Sequence, residues 1–147
     1  MKKILLILFL MISVLSFATG RVIRDTEVDK EYDIELKDNI IYEKDGKKVY
    51  TGIVEKYSED GILQERREYK NGKADGISKF FYPDGKLSSE TTYKNGKRNG
   101  LEKAYQENGK LEYEIKYKDG QPDGNMKFYD ENGNLVADAP YVEVTTK

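Results

Sequence analysis

The sequence predicts an all-β protein, an elongated antiparallel meander of repeated β-hairpins. The first observation behind this prediction is a repeat of 24 residues that covers most of the chain. The second is a period of two within each repeat, which is typical of strands with one face in water. The third is the composition, because 13 Gly and 12 Tyr among 147 residues combine turn formers with residues that favour sheets.

The composition also excludes several kinds of chemistry. The chain has no His and no Cys, so it lacks imidazole and thiolate groups for nucleophilic catalysis or zinc binding, and it cannot form disulfides. Carboxylates are abundant, but most fall at predicted turns or on predicted solvent faces. We therefore expect no catalytic site, no metal site and no cofactor. The net charge of −2 also argues against a nucleic-acid partner, since phosphate binding needs a basic surface.

The chain begins with the features of a secretory signal peptide. Lys2 and Lys3 precede an apolar run from Ile4 to Phe17, and Ser16-Phe17-Ala18 has the small-x-small pattern of a cleavage site. The run is shorter than the roughly 20 residues that a membrane span needs. We expect cleavage near Ala18 and export of the remaining chain to the periplasm, cell envelope or medium. An uncleaved anchor is the alternative.

Residues 19–39 are predicted to form a polar segment that ends in a capping strand. Residues 22–30 are polar and are interpreted as a linker or a short helix. Tyr32, Ile34 and Leu36 then alternate with charged residues. This alternation predicts a strand that covers the first edge of the repeat sheet.

Residues 40–141 are predicted to contain about four repeats, of which the first is looser. In the third repeat, Leu111, Tyr113, Ile115 and Tyr117 alternate with polar residues and predict a strand. Because Asn-Gly and Asp-Gly tolerate positive φ, hairpin turns are expected at residues 59–61, 83–85, 107–109 and 131–133. The loops at residues 72–76, 96–100 and 120–124 then join one hairpin to the next.

The last repeat departs from the others. Asn125 stands where the earlier copies have Ile53, Ile77 and Leu101, so the last hairpin is interpreted as a polar terminal cap. Pro140 is compatible with an edge strand at the end of the array, and residues 142–147 are expected to be a tail. Exposed sheet edges invite pairing, so edge-to-edge self-association is a further expectation.

Regularly spaced aromatic residues form the first candidate binding surface. Tyrosine suits an interface because its ring is rigid and apolar and its hydroxyl is polar. The alternative is that these rings pack as the interior of the sheet. The candidate binding face consists of Tyr57, Phe81, Tyr105 and Tyr129 in one series and of Tyr69, Tyr93 and Tyr117 in another.

Charged residues at the two rims of the predicted sheet form the second candidate surface. The basic rim, formed by the loops between repeats, could attract an acidic partner or, weakly, an anionic membrane surface. The alternative is that these are solvated turn residues. The basic rim consists of Lys70, Lys73, Lys94, Lys97, Arg98 and Lys118, and the acidic rim at the hairpin tips consists of Glu59, Asp60, Asp84, Glu107, Asp130 and Glu131.

The repeat pattern resembles the variant MORN repeat of bacterial proteins. The similarity lies in Tyr-Lys-Asn-Gly-Lys-x-x-Gly, an aromatic residue and Asn/Asp-Gly-x-Leu, at residues 69–87, 93–111 and 117–135, with residues 50–63 as a looser opening copy. The resemblance implies a non-catalytic array that binds another macromolecule, most simply a protein. It also implies a likeness to antitoxin components of toxin-antitoxin modules. The alternative is an envelope or surface module that contacts lipid, peptidoglycan or a host protein, which the signal-like N-terminus favours.

Overall fold

The computed structural model describes residues 21–26, 34–38, 40–43 and 46–141 of the chain. These ranges contain twelve strands and no helix. The predicted signal peptide and the predicted tail lie outside the described residues. The strands are β1 (Arg21–Thr26), β2 (Ile34–Lys37), β3 (Ile40–Glu43), β4 (Gly52–Tyr57), β5 (Leu63–Lys70), β6 (Lys73–Ala74), β7 (Gly76–Phe81), β8 (Leu87–Lys94), β9 (Lys97–Tyr105), β10 (Leu111–Lys118), β11 (Gln121–Tyr129) and β12 (Leu135–Pro140).

Ten of these strands form one sheet in the order β1-β4-β5-β7-β8-β9-β10-β11-β12, with β6 paired to β5. From β4 onward every neighbouring pair is antiparallel. Strands β2 and β3 form a separate two-stranded sheet. The predicted all-β meander of hairpins is therefore confirmed.

The first edge of the large sheet is covered by a segment other than the predicted one. Strand Arg21–Thr26 pairs in parallel with β4, so the interpretation of residues 22–26 as linker or helix was wrong. Strand Ile34–Lys37 pairs with Ile40–Glu43, so its predicted role as the edge strand was also wrong. A period of two identifies a strand, but it does not identify the strand's partner. Val22 and Ile23 favour strands, but most residues that follow them in the sequence are polar, so the strand was not predicted.

Two kinds of turn alternate along the sheet. At the junctions between repeats, an Asn-Gly or Asp-Gly pair has positive φ at both positions, for example 51° at Asn95 and 81° at Gly96, as a two-residue hairpin turn requires. At the hairpin tips, as at Gly109, the glycine has positive φ and the preceding Asn or Asp does not. Asn108 Oδ1 instead accepts a hydrogen bond from the Lys110 N–H (2.8 Å). The predicted tip turns are present, but the side chain of Asn108 acts there by hydrogen bonding.

A β-bulge near each hairpin tip changes which residues share a face. Tyr105 pairs with Leu111, whereas the adjacent Ala104 pairs with Tyr113, so Glu112 is the extra residue. Leu111 therefore lies on the opposite face from Tyr113. Simple alternation had placed both on one face, and the bulge is the physical reason for the difference.

Residues that are register partners on neighbouring strands lie on the same side of the sheet. The pairings therefore divide the side chains of the large sheet between two sides, which we call face A and face B. Every buried side chain of strands β4 to β12 lies on face A. One row of successive partners on face A is Ser78, Thr91, Glu102, Ile115, Met126 and Ala139. One row on face B is Lys79, Glu90, Lys103, Glu114, Lys127 and Asp138.

A small core joins the β2–β3 hairpin to the first repeat. Ile41 and Tyr50 are buried, and the Tyr50 ring meets the Tyr69 ring edge-on at 6.5 Å. The backbone of Gly72 closes the contact, because its carbonyl accepts from the Ile41 N–H (2.9 Å) and its N–H donates to the Tyr50 carbonyl (2.7 Å). A Cβ at Gly72 would collide with Ile40, so glycine is needed at this junction.

Candidate binding surfaces

The two predicted aromatic series lie on opposite faces of the sheet. Tyr105 is adjacent to Ala104 of face A and lies on face B, whereas Tyr117 is the partner of Gly100 on face A. The prediction of one continuous aromatic face was therefore wrong. The two series are 12 residues apart, and this spacing does not reveal which face each series lies on, because a turn and a bulge intervene. Tyr57, Phe81, Tyr105 and Tyr129 lie on face B, and Tyr69, Tyr93 and Tyr117 lie on face A.

Face A combines small buried residues with larger rings. Ser78, Thr91 and Ala104 are almost inaccessible to solvent, and Ile115 is 2% exposed. Tyr117 is also buried, whereas the other six predicted aromatic residues are half-buried. The rings therefore contribute to packing, as one of the two interpretations expected, and most keep part of their surface in solvent.

Three of the predicted site residues come together on face A. Arg98 is the register partner of Tyr93, and its guanidinium lies over the Tyr117 ring at 4.1 Å and donates to the Tyr117 hydroxyl (2.8 Å). Arg98 also pairs with Glu102 at 3.1 Å. Arg98 therefore differs from the other predicted residues of the basic rim, because its guanidinium stacks and pairs on face A, although its side chain remains 41% exposed.

Glu102 also accepts a hydrogen bond from the Tyr113 hydroxyl (3.3 Å). Burial of the ring and then the nearby Glu102 carboxylate raise the pKa of Tyr113 to about 12. A raised pKa keeps this phenol protonated and able to donate. Arg98, Glu102, Tyr113 and Tyr117 thus satisfy one another's polar groups on face A.

The remaining residues of the basic rim are exposed. Lys70 lies opposite Lys73, and Lys94 lies opposite Lys97, across the two-residue turns. Lys118 is exposed as well. At the opposite rim, Asp84 forms an ion pair with Lys86 at 2.8 Å, and this hydrogen bond lowers the pKa of Asp84. Both rims therefore have charged groups in solvent, where each contact is weak.

Face B carries a row of charges that crosses eight strands, and we call it the charge ladder. From Lys79 onward, each residue is the register partner of one with the opposite charge. The nitrogen–oxygen distances are 3.9 Å for the Lys79–Glu90 ion pair and 3.3 Å for Lys127–Glu114. The ladder consists of Glu55, Arg66, Lys79, Glu90, Lys103, Glu114, Lys127 and Asp138.

The face B tyrosines donate to carboxylates of this ladder. The Tyr105 hydroxyl donates to Glu90 (3.0 Å) and the Tyr129 hydroxyl to Glu114 (3.2 Å), each on a neighbouring hairpin. Burial and then the hydrogen bond to Glu90 raise the pKa of Tyr105 to about 12. One repeat earlier, Phe81 takes the place of tyrosine and Arg66 that of glutamate. That repeat thus lacks both the tyrosine hydroxyl and the carboxylate that would accept its hydrogen bond.

Sequence reasoning missed the charge ladder, although a signal for it exists. The basic residues Lys79, Lys103 and Lys127 recur every 24 residues, as do Glu90 and Glu114. Their spacing alone does not show that the two series are partners. The register across the junction turns supplies that information.

The last hairpin carries exposed apolar side chains, contrary to its interpretation as a polar cap. On face A, Phe128 is 40% exposed. Leu135, the partner of Tyr129 on face B, is 52% exposed, and Val136 at the bulge is 62% exposed. Asn125, on which that interpretation rested, belongs to face B, where it donates to Asp138 (2.7 Å). We call the apolar residues of this hairpin on face A the terminal patch, which consists of Met126, Phe128, Ala137 and Ala139.

Within the described ranges, no group of three or more Asp or Glu side chains is arranged to hold a metal ion. No helix in the same part of the chain is long and apolar enough to cross a membrane.

The architecture and the two faces define an all-β hairpin-repeat protein. The model of the MORN repeat variant matches four segments, at residues 50–71, 74–95, 98–119 and 122–143. These segments cover more than half of the chain, which therefore belongs to the MORN repeat variant family.

One solved structure with similarity to the chain is described as the crystal structure of TarM. The two share 13% sequence identity and superpose with a TM-score of 0.36, over 73% of this chain and 17% of TarM. This level of similarity supports no functional argument. No curated protein matches the sequence.

Proposed function

We propose that this chain is a non-catalytic binding module and that its partner is another protein. MORN repeats are typically binding modules, and a hairpin array offers extended surfaces for contact. The terminal patch carries the proposal. Exposed apolar side chains grouped on one hairpin are typical of protein interfaces, and Phe128 supplies an aromatic anchor of the kind that dominates binding energy.

The experiment compares substitutions at two residues of similar exposure that lie on opposite faces of the sheet. Phe128→Ser removes the aromatic side chain of the terminal patch, and Leu101→Ser is the matched control, since Leu101 is 44% exposed and lies on face B. The full chain is crosslinked in the cells that produce it, and captured proteins are identified by mass spectrometry. We expect Phe128→Ser to lose a captured protein that Leu101→Ser retains. Equal capture by both variants would contradict a role for the terminal patch.

We further propose that the partner is a toxin that this chain neutralises. The support is the resemblance of its repeats to those of antitoxin components. This proposal expects a tight one-to-one complex with the product of a neighbouring gene. Deletion of the gene for this chain alone should then be harmful unless the toxin gene is deleted too. A harmless single deletion argues against neutralisation.

A second candidate function is an exported envelope or surface module that contacts lipid, peptidoglycan or a host protein. The N-terminal apolar run after Lys2 and Lys3 favours it. The exposed lysines of the basic rim would add weak attraction to an anionic surface. Cell fractionation separates the two candidates, because a wholly cytoplasmic protein contradicts this one.

A further inference from the structure

The large sheet ends in β1 on one side and in β12 on the other. β1 pairs with β4, and β12 pairs with β11. No strand in the described part of the chain pairs with the outer edge of either one. Such edges have backbone N–H and C=O groups that can pair with a further strand. Two copies of the chain could therefore join through these two edges.

The directions of the two outer strands suit this pairing. β1 is parallel to β4, and the direction then reverses at every step from β4 to β12, which is an odd number of reversals. β12 therefore runs antiparallel to β1. When two copies lie side by side in the same orientation, β12 of one copy meets β1 of the next as an antiparallel pair. Face A of both copies then lies on the same side, as it does for neighbouring repeats.

The charges on face B select one register for the two strands. In the interior, Glu114 lies opposite Lys127, and Asp138 follows Glu114 by one repeat. β1 has one basic residue at the face B positions, Arg24, which is the register partner of Glu55 in the charge ladder. Because opposite charges on facing strands are favourable, we expect Arg24 to lie opposite Asp138.

The same register continues a second pattern, on face A. It sets Tyr141, directly after β12, opposite Arg21, the first residue of β1. Tyr141 follows Tyr117 by one repeat and is 43% exposed. In the interior, Arg98 is the register partner of Tyr93, and its guanidinium lies over the Tyr117 ring. A charge pair on one face and a tyrosine–arginine pair on the other therefore agree on one alignment.

Other pairings of these edges lack this match. Two β12 strands that face each other have no basic residue between them, because each has the sequence LVADAP. A shift of two residues between β12 and β1 would set Asp138 opposite Val22 or Thr26, which carry no charge. The chain's own first strand thus has the basic residues that the β12 edge lacks. This complementarity favours a second copy as the occupant of that edge.

We propose that this chain assembles head to tail, with β12 of one copy paired antiparallel to β1 of the next, Asp138 opposite Arg24 and Tyr141 opposite Arg21. The contact joins two different surfaces, and each added copy leaves one edge of each kind free, so the assembly is an open series. The large sheet then continues from copy to copy. This assembly is separate from the proposed function, because it concerns contacts between copies and not the partner of the terminal patch.

Charge exchange tests the register. Association of the full chain is measured by sedimentation equilibrium over a range of concentrations, and we expect the wild type to form larger species as the concentration rises. Asp138→Lys and Arg24→Glu should each weaken association about fivefold, as expected for one exposed charge pair. An equimolar mixture of the two variants should recover most of the association, because alternating copies place opposite charges at every contact. Mixing cannot refold a damaged chain, so recovery distinguishes edge pairing from loss of fold.

Engineered disulfides test the same register in a chain that has no cysteine of its own. Ile23 lies opposite Ala139 on face A in the proposed pairing, so the chain with Ile23→Cys and Ala139→Cys should form a ladder of disulfide-linked oligomers under mild oxidation. The matched control combines Val22→Cys with Ala139→Cys. Val22 is the register partner of Ile53 on face B, so this control should form much less of the ladder. Both chains keep the proposed charge pair.

A wild type that stays monomeric at high concentration would overturn the proposal. Equal ladders from the two cysteine pairs would overturn it too, as would association that neither charge variant weakens. None of these results affects the proposed function, which depends on capture of another protein by the terminal patch. Conversely, if the head-to-tail assembly forms but Phe128→Ser and Leu101→Ser capture the same proteins, the assembly stands and the role of the terminal patch fails.

Discussion

Face A and face B are built from the same strands, but they stabilise the sheet in different ways. On β10, Ile115 of face A is almost fully buried, whereas its neighbour Lys116 of face B is exposed. Face A excludes water through side-chain packing, so its contribution should follow the apolar area removed from solvent. Face B holds opposite charges on successive strands, so its contribution should follow salt and pH. Each repeat thus places side-chain packing on face A and charge pairs on face B, because successive residues of a strand lie on opposite faces.

The largest effect is expected on face A. Ile115→Ala removes buried methyl groups from a 2% exposed site, and we expect it to lower the free energy of unfolding by about 3 kcal/mol. The control Lys116→Ala changes the adjacent, exposed residue and should stay within about 0.5 kcal/mol of the wild type. Urea unfolding followed by circular dichroism measures both. Similar losses for the two variants would show that the faces do not differ as described.

A double-mutant cycle tests the hydrogen bonds between face B tyrosines and the charge ladder. In the Arg66→Glu background, Phe81→Tyr should recreate the pairing of Tyr105 with Glu90, and we expect a favourable coupling of about 1 kcal/mol. In the wild-type background the added hydroxyl meets Arg66 and should give no gain. The same cycle with Phe80→Tyr is the control, because Phe80 lies on face A. Equal coupling at both positions would contradict the assignment of faces.

The sequence predicts most of the fold but only part of the surfaces, because the surfaces depend on which residues pair across neighbouring strands. Asn95-Gly96 and its equivalents fix where the strands turn, so the meander follows from local residue types. The bulge at Glu112 and the partner of Ile34–Lys37 depend on pairing between strands, which the period of two does not specify. Arg98 appeared to be a rim residue for the same reason. Its neighbour Tyr117 lies 19 residues away and reaches it only through the sheet.

The charge ladder should make part of the stability depend on salt. Glu114→Gln removes the charge that lies between Lys103 and Lys127, and we expect a loss of about 0.5 kcal/mol at low salt. In 1 M salt the screening length falls to about 3 Å and most of this loss should disappear. Thr91→Val is the face A control, since Thr91 is 8% exposed and carries no charge. Its effect should be the same at both salt concentrations. Salt-independent losses in both variants would contradict an electrostatic role for face B.

The smallest effect on stability is expected in alkaline solution, where the phenol of the half-buried Tyr105 ionises. Burial and then Glu90 raise the pKa of Tyr105 to about 12 in the folded chain, whereas tyrosine in an unfolded chain has a pKa near 10. Above about pH 10 the unfolded state therefore loses this proton while the folded state retains it. The stabilisation is complete below that pH and is lost as the pH rises through about 12.

Thermal unfolding between pH 9 and pH 12 measures this dependence, with the wild type compared with Tyr105→Phe. The wild type should lose stability more steeply over about pH 10–12, because the variant lacks the ionising group. Glu90→Gln is the matched variant. It keeps the Tyr105 ring but removes the carboxylate charge, so the phenol should ionise at lower pH in an absorbance titration of the folded chain. Identical pH profiles for the wild type and Tyr105→Phe would mean that the carboxylate of face B does not act on the packed ring.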